Sequence, residues 1–571
     1  MVDQTSPELV TLERLAADFA GRGRDALLPA LWAVQTAYGY IGPEAVRVLS
    51  QTLDIPEADI YGVIGFYSMF YDRPAGRTII RVCTSPSCGL AGADRALHTL
   101  CDRLGTVPGG TTPDGQYTVE QTTCLGLCEH APAALVSRQG AGEQQYAPID
   151  IDAILAGQPG HHNGVIGSMT RVLLRDLPTD RAQTLAEYGE YVALQRALSD
   201  LMPEEVIAKI EASGLVGRGG AAFPTGLKWS FTRRAPGTPH YVVCNADESE
   251  PGTFKDRVLL EIRPHLLLEG LAICAYAIGA EQAYIFIRGE YPLATERLQQ
   301  AIAEAEAAGY LGENILGSGF SLHVEVRRGA GAYICGEETA LFEAIEGKRG
   351  YPRIKPPFPT THGLFGKPTV INNVETLCKV PGIINRGGRW FRQWGTDLST
   401  GIKLVAVSGH VQRPGVYEIP LGVTLRHVLE ALCGGVVGEL QAVLMGGAAG
   451  TFLRPEEIDV RLTFEDLRAI GSTLGSGAIM VFNDTVDLRD VLRRIGEFFQ
   501  HESCGKCYPC QLGTQRQKEI LDRLATPLPG DRQRLADIGQ TMTESSLCGL
   551  GQTAAAAVLS AMRQWPELFP A

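Results

Sequence analysis

Three cysteines fall three residues apart in Ser503-Cys504-Gly505-Lys506-Cys507-Tyr508-Pro509-Cys510, and a fourth follows in Ser546-Leu547-Cys548-Gly549-Leu550-Gly551. A compact loop with this spacing can wrap three corners of a cubane, and a distant thiolate closes it, so Cys504, Cys507, Cys510 and Cys548 read as ligands of a [4Fe-4S] cluster. Zinc, which usually takes two separated pairs, is the alternative. A second set has four residues between Cys83 and Cys88 and three between Cys124 and Cys128. Those gaps are wider than zinc ribbons favour and suit a rhombic [2Fe-2S] core. A redox disulfide is the third choice, because no Cys-x-x-Cys follows a strand here.

The segment Gly217-Arg218-Gly219-Gly220-Ala221-Ala222-Phe223-Pro224-Thr225-Gly226 runs into Lys228-Trp229. Glycines let backbone N–H groups approach an anion, and Arg218 and Lys228 add positive charge, so this is a candidate phosphate cradle. It matches neither Walker A nor the Rossmann fingerprint. Two acidic stretches accompany it, Asn245-Ala246-Asp247-Glu248-Ser249-Glu250-Pro251-Gly252 and Arg328-Gly329-Ala330-Gly331-Ala332-Tyr333-Ile334-Cys335-Gly336-Glu337-Glu338-Thr339. Their carboxylates either sit in the first turns of helices or accept hydrogen bonds from ribose hydroxyls and amides. Asn372 and Asn373 add amide groups able to read the polar edge of a flavin.

A chain of 571 residues must position these parts with several domains, and 45% hydrophobic residues suffice for several cores. The formal net charge of -13, with no Lys/Arg-rich tract, argues against nucleic acid as a partner. The opening Met1-Val2-Asp3-Gln4 lacks a secretory-signal pattern, and Leu266 to Ala280 is interrupted by Glu269 and too short for a bilayer span. The expectation is a cytoplasmic chain with no direct membrane insertion, in which Leu266 to Ala280 is a buried helix. Fourteen cysteines without an export signal point away from structural disulfides. The six solitary ones (Cys101, Cys244, Cys274, Cys335, Cys378 and Cys433) read as small buried hydrophobes.

Periodicity and breakers predict a multidomain α/β chain. Residues 1–75 read as helical. Residues 76–156 read as strand, helix, strand and hairpin, a thioredoxin-like plan that brings both N-terminal cysteine pairs to loops at the same strand ends. Residues 157–199 form a linker and connecting segment, and its paired His161 and His162 read as solvated. An α/β unit follows over 200–393, a β-rich unit over 394–488, and a helical region holding the cysteine triplet over 489–571.

Taken together, Gly217 to Phe231, Asn245 to Gly252, Gly329 to Leu341, Asn372-Asn373 and the set Cys504, Cys507, Cys510 and Cys548 resemble the flavin-bearing, NADH-oxidising subunit of respiratory complex I. Residues 1 to about 155 resemble that complex's thioredoxin-like [2Fe-2S] subunit. The fusion resembles the diaphorase large subunit of soluble NAD-reducing [NiFe] hydrogenases, and also the β subunit of some NAD-dependent formate dehydrogenases. The resemblance implies FMN contacts from Gly217, Arg218, Gly219, Gly220, Lys228, Asn245, Asp247, Glu248, Tyr333, Gly336, Glu337, Asn372, Asn373 and Thr376. It implies an NAD(H) site on the flavin formed by Phe223, Lys228, Phe231, Glu250, Glu338 and Phe358, where hydride transfer is a matter of positioning rather than of an acid or base. It further implies a β-grasp (ubiquitin-like) fold over 394–488. The implied partners are an iron–sulfur electron-transfer subunit and a catalytic subunit, hydrogenase first and formate dehydrogenase next, with complex I itself as the remaining alternative. Ala222 departs from the family, which commonly has glycine there; the extra methyl is expected to narrow the cofactor floor slightly.

Overall fold

The computed structural model describes residues 7–175 and 177–569; Met1–Gln4 lie outside them. The N-terminal region is helical, with Pro7–Ala17, Leu27–Tyr38, Pro43–Leu53 and Glu57–Ile64 as its main helices. The strand Thr78–Cys83 then pairs in parallel with Tyr117–Thr122 and antiparallel with Ala134–Arg138, which forms a hairpin with Gly142–Tyr146. Cys83 ends the first of these strands and Cys124 lies two residues beyond the second, so both cysteine pairs reach one end of the sheet.

The central unit is a four-stranded, all-parallel sheet in the order Thr369–Asn373, His240–Ala246, Ala280–Ile287, His323–Arg328. Parallel strands need both faces covered, and helix Pro264–Ile278 supplies much of that cover. Every residue of this helix is buried except Tyr276, as its apolar run predicts. All four strands end on the same side, where the acidic loop, the second glycine loop and the Asn372-Asn373 pair emerge. That edge is where ligands bind in open α/β sheets.

A third, six-stranded sheet lies mainly within 402–483 and packs around its own apolar core. Its edge strand is Ile166–Ser168, paired in parallel with Gly415–Pro420, so the segment after residue 157 adds a strand to a sheet more than 200 residues away. The same segment corrects the reading of its histidines. His161 is exposed, but the His162 side chain is only 4% exposed and its Nε2 meets the Glu261 carboxylate at 3.2 Å. A polar, breaker-rich sequence signals exposure only until a buried charge elsewhere demands a partner.

The C-terminal region is a helical bundle built on Leu488–Glu502, Tyr508–Asp522, Asp531–Ser545 and Ala556–Gln564. Its apolar side merges with the core of the thioredoxin-like unit. Arg494 joins the two units by donating to Thr84 O at 2.9 Å and by pairing with Asp94. The two cysteine sets are therefore carried by one packed body. No helix among the described residues is long and apolar enough to cross a membrane.

Candidate redox and nucleotide site

Cys504, Cys507, Cys510 and Cys548 line a single void, closed by Ile334, Pro352 and Leu550. Helices begin at Tyr508 and Gly549, each directly after a cysteine, so helix N-termini face the space the thiolates would share. Burial pushes Cys510 up to about 12 and Cys548 up to about 11. Cluster insertion must therefore displace protons. In the N-terminal set the Cys124 and Cys128 sulfurs are 3.5 Å apart, and Gly126 N donates to Cys124 Sγ at 3.4 Å. Hydrogen bonds from Cys128 and Cys83 hold Cys124 well below the usual thiol range, and the nearby Arg288 charge adds to this. All eight thiols are free, and four from each region gather in one place, which fits two iron–sulfur clusters. The six solitary cysteines are free and buried, as small hydrophobes would be.

The first glycine loop lies beside the N-terminus of helix Val374–Arg386. Asn373 caps this helix by accepting from Glu375 N at 3.0 Å, and Arg218 N donates to Thr376 Oγ1 at 2.9 Å. Gly219 and Gly220 are exposed at this helix start. A Cβ at Gly219 would press on Asn373 Cβ at 3.2 Å, and Gly220 sits at φ +133. Exposed backbone donors at a helix start form an anion site. Ala222 occupies the left-handed region at φ 53, where glycine would rest without strain. The alanine thus costs backbone energy of about 1–2 kcal/mol, a consequence different from the narrowing expected of its methyl.

Several expected contacts are engaged within the protein. Arg218 is buried and donates to Thr400 O at 2.7 Å, while its Nε and Nη1 have no partner. Lys228 Nζ donates to Ile371 O at 3.0 Å, and Asn372 Oδ1 accepts from Trp229 Nε1 at 2.8 Å. The Glu248 carboxylate accepts from Asp256 N and Arg257 N at 2.8 Å each. Its backbone carbonyl accepts from Arg288, whose other nitrogen donates to Cys124 O at 2.6 Å. One guanidinium therefore spans the acidic loop and the N-terminal cysteine loop.

Asp247 Oδ2 is buried without a partner and lies 3.9 Å from the position a Cβ would take on Gly336, whose carbonyl accepts from Asn245 Nδ2 at 2.9 Å. Burial raises Asp247 to about 7. An unanswered buried acceptor beside a bare glycine and an anion-binding loop is what a flavin, with its ring N–H, ribityl hydroxyls and phosphate, would complete.

Phe223, Phe231 and Phe358 are 42%, 47% and 56% exposed. Helix Thr225–Arg234, which carries Phe231, packs on the short helix that Phe358 precedes, and exposed rings at these positions are suited to stacking a planar ring. Glu250 is clamped by Tyr333 Oη and by Ala449 N at 2.7 Å, and burial raises it to about 7. Lys355 Nζ bridges Glu337 at 2.8 Å and Glu338 at 2.7 Å. Lys355 lies in a proline-rich stretch, and the Gly447–Ala449 loop sits in the glycine-rich run Gly446 to Gly450, the local feature that marks it.

Four families match stretches of the chain: the Nuo51 FMN-binding domain at residues 210–382, a thioredoxin-like [2Fe-2S] ferredoxin at 12–157, the NADH-ubiquinone oxidoreductase-F iron-sulfur binding region at 490–571, and the SLBB domain at 404–443. The NAD-reducing hydrogenase HoxS subunit alpha of Cupriavidus necator is 36% identical over 579 residues, spanning 98% of this chain and 93% of that one. An F-type subunit of the NADH-quinone oxidoreductase of Rhizobium meliloti is 48% identical over 407 residues, spanning 70% of this chain and 97% of that one. A crystal structure of an NAD+-reducing [NiFe]-hydrogenase in the H2-reduced state superposes with a TM-score of 0.85 at 34% identity, over 96% of this chain and 92% of that one.

Proposed function

Because this chain belongs to the family of NADH-oxidising flavoprotein subunits that includes the hydrogenase α subunit and the F-type subunits of NADH-quinone oxidoreductase, we propose that it is the diaphorase subunit of a cytoplasmic NAD-reducing [NiFe] hydrogenase. It is an NAD(H)–FMN oxidoreductase with one [2Fe-2S] and one [4Fe-4S] cluster, and it works within a multisubunit complex. The observation that favours hydrogenase over complex I is coverage. The hydrogenase relative matches 98% of the chain, including the fused N-terminal unit, whereas the quinone-oxidoreductase relative matches 70%.

FMN, when bound, supplies the hydride acceptor and the conversion between two-electron and one-electron transfer. The protein's own residues provide position. The loop from Gly217 to Gly220 and the start of helix Val374–Arg386 hold the phosphate through backbone N–H groups. Asp247 and Gly336 receive the polar edge of the ring system. Phe223, Phe231 and Phe358 stack the nucleotide, with Glu250 and Glu338 accepting from its hydroxyl and amide groups. Arg218 contributes its backbone, because its side chain is turned toward Thr400.

Glu250→Gln and Glu338→Gln are each expected to raise the NADH concentration for half-maximal dye reduction by about tenfold, a loss of about 1.4 kcal/mol of binding, with FMN retained. Loss of flavin in step with activity would show that these carboxylates hold the flavin instead. The partner is tested by co-purification: the complex should reduce NAD+ with H2. Activity with formate and none with H2 would replace hydrogenase by formate dehydrogenase.

A further inference from the structure

Helix Leu488–Glu502 ends on a carboxylate two residues before the first cubane ligand. A negative charge at a helix C-terminus opposes the helix dipole, so its side-chain bonds must account for its place there. Glu502 Oε2 accepts from Tyr333 N at 2.9 Å, and Oε1 accepts from Thr123 Oγ1 at 3.0 Å. Thr123 directly precedes Cys124 of the N-terminal set. Tyr333 belongs to the second glycine loop, and its hydroxyl reaches Glu250. The Tyr333 ring also packs on Phe498 of the same helix, with centroids 5.0 Å apart. One carboxylate thus ties its own segment to two others, and each of the three bears a different redox partner.

We propose that Glu502 is a positioning residue that fixes the flavin loop against the cubane segment and so sets the rate at which electrons pass from FMN to the [4Fe-4S] cluster. The inference rests on the function proposed above. Tunnelling falls steeply with distance, so a tie between donor and acceptor segments acts on that step and leaves hydride entry alone. Glutamine can keep the tie: its oxygen accepts from Tyr333 N, and its amide donates to the Thr123 hydroxyl. Alanine keeps neither bond.

The experiment mixes the intact complex with NADH and follows flavin bleaching by stopped-flow and the cubane signal by rapid-freeze EPR. In Glu502→Ala the cubane signal should appear about tenfold more slowly, equivalent to about 1.4 kcal/mol on that step, with flavin bleaching and its NADH dependence unchanged. Glu502→Gln should behave as the unaltered protein does. An unchanged cubane rate in the alanine variant overturns the proposal. So does equal slowing in the glutamine variant, or a parallel loss of flavin bleaching. Should Glu502→Ala fail to hold its cubane, Glu502→Asp decides. It keeps the charge but is one methylene too short for the bond from Tyr333 N, and it must slow the cubane step by about twofold or more; no change overturns the inference. Failure of the unaltered complex to bleach flavin or reduce a cubane would instead sink the proposed function.

Discussion

Cys507→Ala is expected to bring partner-coupled turnover to background while NADH-driven reduction of a small dye continues. Cys507 is one of four thiols on a single void, and three thiolates cannot hold the fourth corner of a cubane in the same way. A soluble acceptor able to reach the flavin directly would need no cluster. Cys124→Ala provides the contrast. Cys124 is joined to the acidic loop through Arg288, and its loss should leave coupled turnover largely intact while weakening assembly or flavin reoxidation. The measurement sets coupled beside dye turnover in complexes checked for FMN content and subunit assembly. Coupled turnover lost with Cys124 and kept with Cys507 would reverse the route.

Glu375→Gln is the second large effect, and it arises from charge rather than from a cluster. Glu375 is fully buried and pairs with Lys379, with Lys403 at 3.2 Å and with Lys255 at 3.2 Å. Lys403 also donates to Arg218 O at 2.7 Å and Ser476 O at 2.8 Å, so the pair secures the first glycine loop to the third sheet. Removing the carboxylate strands buried ammonium groups, a loss on the order of 3–5 kcal/mol. The denaturant midpoint of the flavin-release transition should fall accordingly, and Lys379→Met in the same chain should recover part of it. A midpoint within error of the unaltered protein would show that the cluster is electrostatically idle. Burial alone would raise the Glu375 pKa, but the three lysines overcome it and hold it well below the usual carboxylate range. The corresponding stability is complete above about pH 4.3, the unfolded value for Glu, and is lost as pH falls through the depressed folded value.

What can be read from the sequence is what is local. The close cysteine pairs and the triplet, a glycine loop and two acidic loops announce themselves by spacing within ten or so residues, and the succession of strand, helix, strand and hairpin follows from short apolar runs between turn residues. The bonds that give those residues their roles join distant parts of the chain. Glu250 meets Ala449 across 199 positions, and Arg288 meets Cys124 across 164. No composition or periodicity marks such pairs. Asn373 shows the same limit. Its amide suggests a reader of a flavin edge, yet in the fold it caps a helix and donates to Asp256 Oδ2 at 2.6 Å. His162 misleads because a polar, turn-rich neighbourhood signals solvent, while its partner Glu261 lies 99 residues away.

The central claim is that NADH electrons enter through FMN and leave through iron–sulfur clusters held by two cysteine sets. The most direct test is metal and flavin analysis of the anaerobically purified protein, followed by addition of NADH alone. The expected result is about six irons and one FMN per chain, two irons for the first set and four for the second, with flavin bleaching on NADH and a reduced-cluster EPR signal. Zinc at both thiol sets, no flavin absorbance and no change on NADH would contradict it.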